Sequence, residues 1–564
     1  MKSSNSITQR QGLFWLLAIV LILAGVGLRS PWPADEPRFA QIAMEMVHSG
    51  QWFFPLRGGE LYPDKPPLFM WATALFYFLS GNINWAFLIP NALFSLLSLY
   101  LVKDLASRLW DERIGLRAAA LLLFTLQFTL QAKTAQIDAM VCGFITLGCY
   151  GLMRHLLLGP DWRWYTLGGF FMGLGVITKG VGFLPLLMLI PYVIARWRQP
   201  QQNEIRGSWQ WALAPIAMLV GIGLWLIPMI WLTSAGDDPA LHAYRDNILL
   251  KQTAKRYADS WHHIKPFWYY LVSVVPAFWL PMSAMLPWLA PKWWQALKAQ
   301  DRRILLPLGW IILLLVFFSL SPGKRGVYIL PALPMLALIS APYLSAICKR
   351  RGFIWLLQGI IAVISVLLLV LAVLGVMDSH LLTKALAEYH ARPWGAIFLL
   401  AVGGLSCVTL WRRRVLTSWP VFVSLIWLVY SLWLCPLLEQ DRTPKNLFTS
   451  MQQQVPEDAE LLLTEVKEQF LLFSPYVTSH MGAHTPMEKQ VYLAWQWLNH
   501  HPKGYMLVDE NNAALFGKCL ETDDKLDLGF AHRQHWLLLH TPKPRCVAPV
   551  SPSPIYTRPY QPNF

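Results

Sequence analysis

The sequence predicts an α-helical polytopic membrane protein that carries a soluble α/β domain at its C-terminal end. Three observations carry that reading. Of 564 residues, 55% are hydrophobic and 14% charged, whereas a soluble domain carries about 25% charged residues. The apolar residues lie in runs, many of them approaching or reaching the roughly 20 residues that cross a bilayer. Between the runs, lysine and arginine cluster at every second connection, which is the pattern of cytoplasmic loops.

Thirteen spans are predicted, over 12–29, 84–102, 115–131, 138–157, 164–178, 180–195, 209–232, 267–290, 303–320, 327–347, 353–376, 394–411 and 416–437. The first resembles the apolar core of a signal peptide, but no small-residue cleavage pattern follows at once, so it reads as a retained anchor. Residues 68–81 are apolar but short and follow Pro66 and Pro67, so they read as a helix lying at the interface. The charges test this count. With the N-terminus inside, the inside loops hold Lys103/Arg108/Arg113/Arg117, Arg154/Arg163, Arg196/Arg198/Arg206, Lys292/Lys298/Arg302/Arg303, Lys349/Arg350/Arg351 and Arg412/Arg413/Arg414. Counting 68–81 as a span would turn every one of these clusters outward, against the positive-inside rule.

The outside face then receives the loop 30–83, the turn 132–137, Lys179, the loop 233–266, the turn 321–326, the loop 377–393 and the tail. Residues 1–437 form the membrane domain and 438–564 the soluble one. The tail has ordinary polarity, strand-like runs at Leu461–Leu463, Tyr505–Val508 and Trp536–Leu539, and a helical segment at 488–499. Its proline-rich end is expected to be extended. Cys142, Cys149, Cys348, Cys407 and Cys435 lie in or beside apolar runs and act as small hydrophobes. Cys519 and Cys546 lie in the tail, where an external location leaves pairing open. The net charge of +15 serves topology and attraction to anionic membrane lipid. Its scatter among spans argues against nucleic-acid binding.

Chemistry-bearing residues collect on the outside face. Asp35, Glu36 and Arg38 follow the first span, and Asp64 and Lys65 stand before the paired prolines, which hold the lysine extended. Lys133, Gln136 and Asp138 lie at the next outer turn, and an acid at the edge of a span is costly unless it is used. Thr178-Lys179-Gly180 separates two runs with almost no loop. The loop 233–266 holds Asp237, Asp238, His242, Arg245, Arg256, His262 and His263, and is too long for a mere connector. Its arginines suit a phosphate. The adjacent histidines signal a metal only weakly, and a divalent ion is left open. Lys324 and Arg325, before Tyr328, lie outside against the prevailing bias. Plainer readings stand beside each: a solvated loop or helix-terminal acid for Asp35 and Glu36, snorkelling for Lys65 and Lys179, a helix cap for Asp138, a solvated loop for 233–266.

The segment DEPRFAQIAMEM…SGQW…LYPDKPPLFMW resembles the first external loop of the GT-C polyprenyl-phosphate-dependent glycosyltransferases. Within them it is similar to the lipid A aminoarabinose transferase group, related to protein O-mannosyltransferases. ITKG at 177–180, the Asp138 turn, the stretch from Arg256 through His263 to Tyr270 and SPGKRGVYILP at 321–331 resemble later motifs, over about residues 12–350. The resemblance implies Asp35 as catalytic aspartate, Asp138 as a second acid, and Lys65, Arg256 and Tyr328 as ligands of the donor phosphate. Glu36, Asp64, Lys179, Lys324 and His263 are accessory candidates. Asp64 stands where that group tends to have glutamate, and Lys-Arg-Gly at 324–326 where it has Lys-Leu-Pro.

The function expected is inverting transfer of a sugar, 4-amino-4-deoxy-L-arabinose for the aminoarabinose group, from undecaprenyl phosphate to lipid A or another envelope acceptor. The expected location is the bacterial inner membrane, with the active face periplasmic. No cofactor is required, and no glycine-rich nucleotide motif appears. Transfer of another sugar to glycan, lipid or protein is the alternative. From a different class the rival is a lipid or glycan flippase, which places charges near the bilayer midplane rather than on one face.

Overall fold

The computed structural model describes residues 2–198, 205, 209–250, 263–380, 382, 389–513, 515, 525–531, 534–540 and 553–560, with side chains from residue 8. Arg256 and His262, and also Cys519 and Cys546, lie outside the described residues. Among those described, six helices are long and apolar enough to cross a membrane, and up to eight if each of two bent pairs is one span. The chain is thus a multi-pass membrane protein. Each predicted span has a helical counterpart, but several are shorter than predicted or broken, and the breaks build the site.

The first helix, Lys2–Leu23, stops before the predicted end at 29. Gly25 and Gly27 take φ of 94° and 79°, and a Cβ at Gly27 would lie 2.5 Å from the Trp85 ring. Left-handed backbone in close contact with an indole selects glycine. Residues 24–35 are thereby freed from the helix and lead to Asp35 in the site.

The predicted span 115–131 is two helices, Glu112–Leu123 and Leu126–Ala132, meeting at 71°. The span 267–290 is likewise Tyr270–Phe278 and Met282–Lys298, at 110°, with Pro276 and Pro281 unable to donate at the break. Backbone groups exposed by a bend inside a membrane must find partners, and here the two bends supply each other. Leu126 N donates to Leu280 O at 3.2 Å. Trp279 Nε1 donates to Gln127 Oε1 at 2.7 Å, and Gln127 Nε2 to Gly326 O at 2.8 Å. Thr129 Oγ1 covers Leu123 O, and Trp419 Nε1 covers Phe124 O. The docked bends tie the turn after Ala132 to the turn before Tyr328.

The Trp162–Lys179 helix packs between Ile137–Leu157 and Leu213–Ala235 through glycines. A Cβ at Gly169 would lie 2.2 Å from Ala214 O, and one at Gly173 2.3 Å from Met218 O. Small residues four apart let backbones meet where lipid offers no hydrophobic drive. Gly180, at φ 84°, ends the helix, leaving Lys179 in its last turn beside Asp138 in the first turn of its neighbour. Residues Leu68–Ser80 form a 13-residue helix, too short to span. Phe69 and Met70 are buried, whereas Phe78 and Leu79 are exposed.

The soluble domain is a six-stranded mixed sheet ordered β6-β7-β5-β3-β4-β8. Its strands are β3 (Glu460–Leu463), β4 (Val477–His480), β5 (Gly504–Asp509), β6 (Lys525–Ala531), β7 (Gln534–Leu539) and β8 (Tyr556–Thr557). β3 lies parallel to β4 and β5, and the other pairings are antiparallel. The predicted strand runs fall on β3, β5 and β7, and the helical segment on Met487–His500. The domain grips the loop that follows the first helix. There β1 (Leu56–Arg57) and β2 (Glu60–Leu61) make a hairpin over Gly58 and Gly59, both at positive φ. His480 Nε2 lies 3.0 Å from Gly58 O, Glu468 accepts from Arg38 at 2.7 Å, and Tyr560 donates to Gln41 Oε1 at 3.0 Å.

Candidate active site

The breaks bring five chain segments to one cavity of about 80 Å³, lined by Asp35, Arg38, Tyr62, Asp64, Lys65, Gln136, Asp138, Lys179, Arg325 and Tyr328. Three carboxylates meet four cations there, so at formal charges the lining is positive by one. A walled cavity of that sign concentrates an anion.

Asp35 stands at the N-cap of the Glu36–Ser49 helix, yet its side chain makes no capping hydrogen bond. It turns to the cavity instead, accepting from Arg325 Nη2 at 2.8 Å and Gln136 Nε2 at 3.3 Å, with Arg38 Nη1 at 3.8 Å. Burial pushes its carboxyl up, but Arg325, then Arg38 and Lys179, outweigh burial and hold it below the ordinary 3.8. Asp35 is therefore ionised at neutral pH. The Lys179 ammonium pairs with Asp138 and lies 4.4 Å over the Tyr328 ring, so acid, lysine and tyrosine form one cluster. The acid sits at a helix N-terminus and the lysine at a C-terminus, which the helix dipoles favour. Lys65 and Asp64 reach the same cavity from a turn and bend before the Leu68–Ser80 helix, not from the extended backbone expected ahead of Pro66 and Pro67.

Of the predicted residues, Asp35, Asp64, Lys65, Asp138, Lys179 and Tyr328 share the cavity, while Glu36, Lys324 and His263 do not line it. Glu36 is buried and accepts from Arg29 Nη1 at 2.5 Å and Nη2 at 2.7 Å, from Trp32 N at 2.8 Å and from Ala135 N at 2.9 Å. These bonds fasten the strand before Asp35 to the turn before Gln136, and no oxygen is left for a substrate. Lys324 donates from its ammonium to Ser321 O and Lys265 O, stitching its own loop to the bridge Ile264–Gly323. His263 supplies its carbonyl to the Lys324 amide and is exposed. Arg325, not Lys324, enters the site. The outward charge pair pointed to this turn, but only the short 3₁₀ turn at Gly326–Ile329 selects which residue faces in. Arg38, Gln136 and Tyr62 complete the cavity. Burial pushes the Tyr62 phenol up to about 12 against the pull of Arg38. Among the described residues, no three His, Cys, Asp or Glu side chains gather as metal ligands.

Residues 64–227 match the dolichyl-phosphate-mannose-protein mannosyltransferase family. The chain is 31% identical over 433 residues to the undecaprenyl phosphate-alpha-4-amino-4-deoxy-L-arabinose arabinosyl transferase 2 of Sodalis glossinidius, covering 74% of this chain and 75% of that one. It belongs to the aminoarabinose transferase family, within the GT-C glycosyltransferases. The enzyme so named from Aeromonas salmonicida is 29% identical over 85% of this chain and 88% of its own. Among solved structures, ArnT from Cupriavidus metallidurans bound to undecaprenyl phosphate shares the fold, with a TM-score of 0.72 at 20% identity over 94% of this chain and 98% of that one. The oligosaccharyltransferase of Archaeoglobus fulgidus, at a TM-score of 0.51 and 11% identity, covers 88% of this chain and 69% of that one. This chain is a glycosyltransferase of that family.

Proposed function

We propose that the protein transfers 4-amino-4-deoxy-L-arabinose from undecaprenyl phosphate to lipid A or another envelope acceptor, on the periplasmic face of the inner membrane. The observation that carries this reading is Asp35, ionised between two arginines, in a net-positive cavity that also holds Lys65 and the Asp138–Lys179–Tyr328 cluster. The names of the relatives support the sugar and its polyprenyl carrier. Lys65 and Arg325 stabilise the departing lipid phosphate as charge develops on it, a role that Arg256 and Tyr328 also suit.

The ionised state of Asp35 bears on the acceptor. A carboxylate held below its ordinary range is a poor base for a hydroxyl, because proton transfer is efficient when the catalytic pKa lies near the working pH. A phosphate acceptor arrives already anionic and needs no deprotonation. Asp35 then orients the acceptor or balances positive charge on the sugar ring as the glycosidic bond breaks. Single-turnover transfer from synthetic undecaprenyl phosphate-linked aminoarabinose tests this. With Asp35→Asn, turnover falls about 100-fold or more while donor affinity changes little. Near-normal rates in that variant remove Asp35 from the chemistry, and transfer of no sugar by the intact protein removes the reading itself.

A further inference from the structure

A second, larger cavity of about 500 Å³ opens where the last membrane helix enters the soluble domain. Its walls include Pro33 and Ala34, so the strand that carries Asp35 into one cavity forms a side of the other. The floor comes from Val415–Arg442, which continues past the predicted end at 437, and from the helix Lys445–Gln452. The roof is Phe530, on the edge strand β6.

The lining has a definite chemistry. Gln440, Asn446 and Ser450 face the cleft with side chains that make no hydrogen bond to another described residue. Tyr389 and Phe530 present rings, the latter 40% exposed. Asp441 is bound into the neighbouring loop. Its oxygens accept from His390 N at 3.0 Å and His390 Nδ1 at 3.3 Å, and from Ala391 N at 2.9 Å. Arg442 has no carboxylate partner among the described residues and lies 5.8 Å from the Trp32 ring, so its guanidinium is the cation of the cleft. Amides and hydroxyls both donate and accept, as sugar hydroxyls require, and aromatic faces pack against the C–H faces of pyranose rings. An arginine adds recognition of an anionic substituent. Trp433, 46% exposed, lies about two turns before Gln440, in the π-helical segment Tyr430–Leu434, where an acyl chain would run below a headgroup held in the cleft.

We propose that this cleft binds the anionic saccharide headgroup of the amphiphilic acceptor and delivers it past the 33–35 strand to Asp35. The proposal rests on the transferase reading above, and binding measured apart from turnover separates the two. Full-length protein carrying a benzophenone side chain in place of Asn446 is placed in nanodiscs containing lipid A, or in nanodiscs of phosphatidylglycerol alone. Capture of lipid A and not of phosphatidylglycerol is expected. Arg442→Gln or Phe530→Ala, both at exposed positions, should cut it about tenfold. In the transfer assay the same two variants raise the acceptor KM by a similar factor, with donor KM and kcat unchanged. Equal capture of phosphatidylglycerol reduces the cleft to an anion-attracting surface and overturns the proposal, as does a rise confined to donor KM. Competition by a free phosphorylated disaccharide at the lipid's own concentration overturns the amphiphile. Capture of lipid A by a protein that transfers no sugar leaves the cleft standing and breaks the transferase reading.

Discussion

Asp35 and Glu36 are adjacent in the chain, both acidic and both beside guanidinium groups, yet they sit in two different regions. Glu36 belongs to a closed junction, where Arg29 and two backbone amides use every direction its oxygens offer. Asp35 borders a cavity and is only partly engaged, by Arg325, Gln136 and Arg38. A fully satisfied buried pair fixes geometry and has nothing left to give a substrate. A charge held in place but with open space before it can act on one. The junction is therefore the frame that positions Asp35 against Gln136 and Asp138.

The largest effects should separate the two acids by kind. Glu36→Ala strands a buried guanidinium, and breaking such a pair costs about 3–5 kcal/mol. It should lower the thermal midpoint sharply, while Asp35→Asn should cut turnover about 100-fold or more and leave the midpoint near normal. Equal midpoints in the two variants would dissolve the distinction between frame and site. Next in size, Lys65→Ala removes a charge-assisted contact worth about 1.5–3 kcal/mol and should weaken donor binding about tenfold or more in a titration with undecaprenyl phosphate. Unchanged affinity would take Lys65 out of the phosphate site.

A subtler test concerns the cations around Asp35. Burial alone raises its carboxyl, and Arg325 is the foremost group that lowers it. Arg325→Gln should therefore move the acid limb of the kcat–pH profile upward, because Asp35 then protonates at higher pH. A limb that stays in place would show that Arg325 does not govern Asp35. The smallest effect lies at the grip of the soluble domain on the first loop. Burial holds the His480 imidazole below its ordinary 6.5, so its contribution to stability is present above that value and lost as pH falls through the depressed one. Thermal midpoints measured downward from pH 7 should fall less in His480→Gln than in the unaltered protein.

Much of this molecule was legible in the chain because it follows from local rules. Apolar length and basic loops marked the spans, and strand-like runs marked β3, β5 and β7, whereas the extended backbone that the paired prolines suggested at Lys65 is a turn and bend. The cavity residues Asp35, Lys65, Asp138, Lys179 and Tyr328 were legible as outward charges and an interfacial ring among apolar spans, together with their resemblance to a family. The helix breaks at 124–125 and 279–281 were not, since each is stable only because the other supplies its hydrogen-bond partners. Nor could spacing tell Arg325 from Lys324, or Asp35 from Glu36, as members of the site. Neighbouring residues differ by direction rather than by chemistry, and direction is set by packing across segments hundreds of residues apart. The sequence by itself determined which charges would stand between the apolar runs; tertiary structure alone decided which of them were buried as frame and which were left facing space.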